Sequence, residues 1–214
     1  MKLLAALFIA LVCIPQTALA EDQTNDFGEI REFKTKPLTQ AIIEQLRKGG
    51  YVLYMRHGDT DTSRADAINI DLNDCATQRV LSQEGKRVVA KIGDNIRKAK
   101  IPVGEVFSSP MCRTKDSAQI AFGSNYSTNN LLMYSATMSD KEKFQALETL
   151  RELLSRPVQD HKNRVIVSHS QNMMTLIGYL PSPEGTMVIF QPQGNHQFKY
   201  IASVKPKQWD GILP

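Results

Sequence analysis

The stretch YVLYMRHG, residues 51–58, decides how this chain folds. Its first five residues form an apolar run that predicts a buried strand. Arg56 and His57 follow directly, so they emerge at the carboxyl edge of that strand. Ligands of open α/β sheets bind outside the carboxyl ends of the strands. The stretch therefore predicts a buried strand and a basic site at its end.

Helical and extended patterns alternate on both sides of this stretch. Apolar residues recur at helical spacing from Leu38 to Leu46, and the two glycines at 49–50 end that first helix. A long loop over 58–81 leads to a second helix, whose apolar positions are Val88, Val89, Ile92 and Ile96. Residues 104–107 predict a second strand.

The second half of the chain continues the alternation. Ser109 and Pro110 suit the N-cap and first position of a third helix that runs to about Phe122. The fourth helix has a predicted apolar face made of Phe144, Leu147, Leu150 and Leu154. A strand over 164–168 follows, and then a helix that contains Met173, Ile177 and Leu180.

The chain ends in a predicted β-hairpin. Residues 186–190 and 197–204 are its strands, and they turn near Gly194 and Asn195. Strands that alternate with helices predict a three-layer α/β/α sandwich with a mostly parallel central sheet. The length of 214 residues and the apolar content of 42% agree with one domain that can bury a sizeable core.

The first 20 residues differ from the rest of the chain. Lys2 precedes a short apolar run over 3–14, and the segment ends in Ala18-Leu19-Ala20. This order is typical of a secretory signal peptide, the alternative being an uncleaved N-terminal anchor. We therefore expect a signal peptide at 1–20, a flexible polar lead-in at 21–37 and the domain at 38–214, with a periodic pattern that starts at Leu38. The mature protein is expected to be periplasmic or secreted, with no stable membrane span.

Removal of the signal peptide would leave two cysteines, Cys75 and Cys112. An even pair in an exported protein indicates a disulfide, and two buried free thiols are the alternative. A bond between them would tie the loop after His57 to the start of the third helix. We expect that link to hold the site in shape.

Basic residues from distant parts of the sequence converge on the edge that carries His57. His169 directly follows the predicted strand 164–168, and Arg113 lies in the first turn of the third helix. Helix N-termini and arginines both favour anions. Two histidines, two arginines and a helix terminus at one edge predict a phosphate site. The net charge of +4, with no basic block, argues against nucleic acid as a partner.

These motifs together resemble the histidine phosphatase superfamily, whose fold is phosphoglycerate mutase-like. The matching segments are Arg56-His57-Gly58, the LSQEG segment at 81–85, the SSPMCR segment at 108–113 and Val167-Ser168-His169. They occur in the family's order, and exported bacterial members have a similar layout. The resemblance implies that His57 is the nucleophile, while Arg56, Arg113 and His169 hold the phosphoryl oxygens. The sequence contains no HExxH, no CxxC and no carboxylates spaced as metal ligands, so we expect no metal and no cofactor.

The sequence departs from the family at the general acid. Residues 130–137, where a Glu is usual in one branch, contain no carboxylate, and Ser170 stands where another branch has Asp. Asp59, Asp61 and Glu184 are the candidate acids. We therefore expect an exported phosphatase acting on a small phosphorylated substrate, such as a sugar phosphate or an envelope glycan phosphate. The alternative is a phosphate-binding or regulatory protein with little turnover.

Overall fold

The predicted strand at 51–55 is β1, Val52–Arg56, in the middle of a mixed sheet. The computed structural model describes residues 33–135 and 138–212. The predicted signal peptide lies outside these residues, as does most of the lead-in. No helix within residues 33–135 and 138–212 is both long enough and apolar enough to cross a membrane.

The described elements alternate in the predicted order. The helices are α1 Gln40–Arg47, α2 Gln83–Lys98, α3 Cys112–Phe122, α4 Asp140–Ser155 and α5 Ser170–Ile177. The strands are β1 Val52–Arg56, β2 Val103–Ser108, β3 Ser127–Thr128, β4 Asn163–Ser168, β5 Met187–Gly194 and β6 Gln197–Val204. Short 3₁₀ turns cover Cys75–Thr77, Asn130–Leu132 and Pro206–Gly211.

The sheet is mostly parallel, as predicted. Its strand order within the described residues is β3-β2-β4-β1-β5-β6. β1 and β2 both pair with β4 in parallel, and β3 pairs with β2 in parallel. β5 runs antiparallel to β1, and β6 antiparallel to β5. The carboxyl ends of β1, β2 and β4 therefore meet at one edge.

Alternation along β1 divides the core into two layers. Leu53 and Met55 point to a face covered by α1, α2 and α3. Val52 and Tyr54 point to the opposite face, which α4 and α5 cover. Because side chains in a strand alternate with a period of two, one apolar run serves both cores. The three-layer α/β/α sandwich is thereby confirmed.

The third helix begins later than predicted. Its N-cap is Met111 and its first residue is Cys112, so the assignment of Ser109 and Pro110 to the cap and first position is wrong. The Ser109 hydroxyl instead contacts His169. The N–H of Cys112 donates to the Gln78 side chain at 2.8 Å, so a residue of the long loop satisfies this helix end.

Two other predicted apolar positions lie at the surface. Phe144 in α4 is 67% exposed, because the buried stripe of that helix runs through Ala146, Leu150, Leu153 and Leu154. Phe144 precedes Ala146 by two residues, about 200° around the helix. Leu180 is exposed and outside α5, which ends where Gly178 adopts a left-handed conformation.

The C-terminal hairpin turns where predicted, at Asn195 and His196, both with positive φ. The last described part of the lead-in packs against it. Phe33 lies edge-on to Tyr200 of β6, and the N–H of Ser203 donates to the carbonyl of Lys36.

The start of α2 supports the loop that leaves β1. Ser82 caps the helix by accepting from the N–H of Gly85, and its hydroxyl donates to the Asp59 carboxylate. Gly85 allows this approach, because a Cβ at that position would lie 2.0 Å from the carbonyl oxygen of Asp59. The glycine of the LSQEG segment therefore brings α2 directly against the backbone beside His57.

We predict that Gly85→Ala lowers the free energy of unfolding by about 1–3 kcal/mol, since the methyl group meets backbone that must move. Urea unfolding measures the loss. Gly211→Ala is the matched control, because a Cβ there has no neighbour within 4 Å. Equal free energies of unfolding for the two variants would contradict the close approach of Gly85 to the Asp59 backbone.

Candidate active site

Main-chain hydrogen bonds from both neighbouring segments hold His57 at the end of β1. Its N–H donates to the carbonyl of Ser168, the last residue of β4, at 3.1 Å. Its carbonyl accepts from the N–H of Gly185, which precedes β5, at 2.9 Å. The backbone of His57 is thus fixed by the segments on both sides of β1.

The His57 side chain is held through one ring nitrogen. Nδ1 lies 2.8 Å from the carbonyl oxygen of Gly58, and only a protonated nitrogen can donate to that oxygen. In a neutral imidazole the other nitrogen, Nε2, is then unprotonated. The contact therefore selects the tautomer in which Nε2 carries a lone pair.

His57 is neutral at ordinary pH. It is 4% exposed, and burial together with the charges of Arg113, Arg56 and Arg79 lowers its pKa to about 3. Burial is the largest cause, and the arginines act in the same direction. A neutral ring keeps the Nε2 lone pair available.

His169 lies beside His57 at the end of β4. The two ring centroids are 5.4 Å apart, and His169 Nε2 lies 2.9 Å from the Ser109 hydroxyl. Burial and the neighbouring His57 and arginines hold the pKa of His169 well below its usual value. The Tyr54 hydroxyl donates to the carbonyl of His169 and fixes its backbone.

Arg56 points to the turn before β5. Its guanidinium donates to the carbonyl of Pro181 and forms an ion pair with Glu184. Glu184 is thus the only one of the three candidate acids that pairs with an arginine of the site in the part of the chain described.

The other two candidate acids have local partners. Asp59 is exposed and accepts from the Ser82 hydroxyl at the start of α2. Asp61 accepts from the hydroxyl and N–H of Ser63, and these bonds lower its pKa. A lowered pKa keeps Asp61 ionised, so it is poorly suited to donate a proton.

Arg113 is buried in the first turn of α3 and pairs with a carboxylate that the sequence did not indicate. Its NH1 group lies 3.1 Å from Asp66, which also accepts from the N–H of Arg79 at 2.7 Å. Asp66 therefore joins the long loop to the arginine of α3.

Arg79 is a further cation missed from the sequence. Its charge lowers the pKa values of His57, His169 and Arg113. The only sequence signal was its place two residues before the LSQEG segment.

Four nitrogens of this cluster are buried with no hydrogen-bond partner among the described residues. They are the Nε atoms of Arg56, Arg79 and Arg113 and the Nδ1 atom of His169. Buried polar groups are nearly always hydrogen-bonded in folded proteins. Several unpartnered groups in one cationic cluster indicate a site for an anion.

A disulfide between Cys75 and Cys112 ties the long loop to the start of α3. On the loop side it lies close in sequence to Gln78, which accepts from the N–H of Cys112, and to Arg79. Cys112 immediately precedes Arg113. The predicted role of the helix terminus is wrong in one respect, because the first N–H of α3 binds Gln78 and is not open to an anion.

Comparison with known proteins identifies the fold. No protein-family model matches the chain, and a search of curated proteins finds no match. Among solved structures, the protein histidine phosphatase SixA complexed with tungstate has a TM-score of 0.51 and 13% identity, covering 74% of this chain and 98% of that one. Phosphoserine phosphatase from Entamoeba histolytica, a mutant in complex with phosphoserine, has a TM-score of 0.50 and 15% identity, covering 73% and 98%.

A third structure, YhfR from Bacillus stearothermophilus, has a TM-score of 0.50 and 12% identity, covering 71% of this chain and 95% of that one. These neighbours belong to the histidine phosphatase superfamily. At such identities the likeness concerns the fold, and the chain has the histidine phosphatase fold.

The low pKa of His57 has a consequence for stability. Between about pH 6.5 and 3 the unfolded chain binds a proton at this residue that the folded chain does not. The free energy of unfolding therefore falls as the pH drops through this window, with a slope that approaches about 1.4 kcal/mol per pH unit. We predict that His57→Asn makes this dependence shallower in urea unfolding between pH 4.5 and 7.5.

His161→Asn is the control for that series. His161 is exposed in the turn that precedes β4, at the opposite end of that strand from His169. It should leave the slope as in the parent protein. A His57→Asn variant with the parent slope would show that burial does not suppress protonation of His57.

The disulfide gives a prediction that separates stability from binding. Replacing both Cys75 and Cys112 by Ser opens a crosslink that spans 37 residues. The chain-entropy model puts the loss at about 4 kcal/mol. Because the loop carries Asp66 and Arg79, we also expect the Kd for inorganic phosphate to rise at least about threefold in calorimetry. A lower Tm with unchanged Kd would mean that the disulfide only stabilises the fold.

Proposed function

We propose that this protein hydrolyses phosphomonoesters through a phosphohistidine formed on Nε2 of His57. The observation that carries the proposal is the His57 tautomer: Nδ1 is bound to the Gly58 carbonyl, and the neutral ring is buried near three arginines. A buried nucleophile surrounded by cations suits an anionic electrophile such as a phosphoryl group.

The proposed reaction has two displacements. The Nε2 lone pair of His57 forms a P–N bond as the ester P–O bond breaks, and the leaving oxygen takes up a proton. Water then attacks phosphorus, the P–N bond breaks, and inorganic phosphate leaves as the water loses a proton. Each step spreads negative charge over three phosphoryl oxygens, which Arg56, Arg79 and Arg113 would stabilise.

His169 would bind one of these oxygens. When the Ser109 hydroxyl donates to Nε2 of His169, the proton of the neutral ring lies on Nδ1. That nitrogen is buried and has no partner among the described residues. A buried N–H beside His57 is placed to donate to a phosphoryl oxygen.

The comparisons support this proposal at the level of ligand chemistry. One neighbour is a histidine phosphatase complexed with tungstate, and another is a phosphoserine phosphatase in complex with phosphoserine. Both ligands carry a tetrahedral oxyanion. An anion of that kind would fit the four unpartnered nitrogens of this chain.

The leaving group is proposed to need little protonation. Glu184 and Asp66 are the carboxylates that pair with arginines of the site, Arg56 and Arg113 respectively. A general acid must reach the leaving oxygen, and both carboxylates are instead engaged by a guanidinium. Esters of acidic alcohols should therefore be the fastest substrates.

Export to an oxidising compartment is part of the proposal. The disulfide between Cys75 and Cys112 supports it, because disulfides persist mainly outside the cytoplasm. The signal peptide predicted at 1–20 agrees with it. Protein sequencing of the exported protein, with a start at Glu21, would test the cleavage site.

The ion pairs of Glu184 and Asp66 also favour the second candidate function, a phosphate-binding protein with little turnover. In that case the cationic cluster binds a phosphorylated ligand and releases it unchanged. Turnover separates the two candidates.

We predict that the protein hydrolyses p-nitrophenyl phosphate and that His57→Asn lowers kcat at least about 1,000-fold, because the P–N bond of the proposed intermediate forms at Nε2 of His57. Rapid quenching with labelled substrate should trap an acid-labile phosphoryl group on His57. His161→Asn is the matched control and should retain full activity. Tight phosphate binding without turnover would support the binding protein, and turnover that survives His57→Asn would contradict the phosphohistidine.

A further inference from the structure

A cavity of about 480 Å³ opens beside Arg113. Six of the residues that line it have apolar side chains: Ala67, Ile68, Ile70, Leu72, Met111 and Met133. The volume lies within the range of pockets that bind small organic ligands. Arg113 therefore belongs both to the cationic cluster and to the wall of an apolar chamber.

The charged side chains in the wall of this chamber neutralise each other. Asp66 and Arg113 both line it, and they form an ion pair with each other. A polyhydroxylated ligand needs several donors and acceptors, because each hydroxyl that loses water without a new partner costs binding energy. Beyond that ion pair, the lining side chains add only one polar group among the described residues, the Tyr134 hydroxyl, so the wall suits hydrocarbon better than a sugar.

Ile68 on the chamber wall is fully exposed, with a relative exposure of 102%. It lies in the long loop that the disulfide ties to α3. A single exposed isoleucine is ordinary on a protein surface. Here it adjoins an apolar cavity next to a cationic site, where a bound hydrocarbon group would cover it.

We infer that the substrate is a phosphomonoester whose alcohol carries an apolar body, alkyl or aromatic, seated between the loop at 66–72 and Met111 and Met133. The inference rests on the proposed function, since it places the phosphoryl group against Arg113. It favours a hydrophobic ester over the sugar and glycan phosphates expected from export alone.

The test uses n-alkylphosphonates from methyl to hexyl, whose C–P bond is not hydrolysed. Calorimetry measures their Kd without any need for turnover. Each methylene that enters the chamber should tighten binding about twofold to fourfold, from the free energy of burying one CH₂. Benzylphosphonate distinguishes a flat aromatic body from an alkyl chain, and tight binding of either supports the inference.

A second measurement compares the apolar ligand with a sugar phosphate, the alternative class of ligand. On the His57→Asn variant, hexylphosphonate should bind at least about tenfold more tightly than glucose 6-phosphate. The same variant is used for both ligands, so any loss at the phosphate site affects both. Tighter binding of the sugar phosphate would overturn the inference.

Ile68→Ser tests the chamber wall directly. Ile68 is exposed, so the variant should fold, and the ratio of methyl to hexyl Kd values should fall at least about threefold. Phe144→Ser is the matched control, because Phe144 is also an exposed apolar residue but does not line the chamber. The inference would be overturned if the Kd did not change with alkyl chain length. It would also be overturned if Ile68→Ser and Phe144→Ser changed the ratio of methyl to hexyl Kd values equally.

The two proposals fail in different ways. If the Kd falls with alkyl chain length but no ester is hydrolysed, the apolar binding chamber is supported and the proposed phosphatase activity is contradicted. If esters are hydrolysed through His57 but the Kd does not change with alkyl chain length, the phosphatase activity is supported and the preference for an apolar substrate is contradicted.

Discussion

The hydrogen bond between His57 Nδ1 and the Gly58 carbonyl is the interaction on which the account of the site depends. It selects the tautomer of a ring that burial and nearby arginines keep neutral. Without it the lone pair would have no defined position. The central strand, the close approach of Gly85 and the backbone bonds to Ser168 and Gly185 all hold this one contact in place.

The cluster around His57 carries an electrostatic cost in the folded protein. Arg113 is 2% exposed, and burial lowers its pKa. Asp66 offsets part of the repulsion among the cations, and an oxyanion would offset more. Cationic groups that lie fixed in position before an anionic ligand binds are typical of sites that stabilise negative charge.

The sequence predicted the parts of this structure that follow a regular period. Alternation in 51–56 and helical spacing in α1 and α2 place the sheet, its two layers and the edge that carries His57 and His169. Asp66 and Arg79 could not be found in this way, because they lie in a loop without periodicity whose position depends on the disulfide and on Gln78. The start of α3 was misplaced for the same reason: a distant loop residue, and not Ser109, satisfies its first N–H.

A crystal structure of the protein grown with vanadate tests the central claim most directly. We expect vanadium to face Nε2 of His57, with the vanadate oxygens bonded to Arg56, Arg79, Arg113 and Nδ1 of His169. Vanadate bound at saturation to another part of the molecule, or a His57 ring turned so that Nδ1 faces the anion, would contradict it.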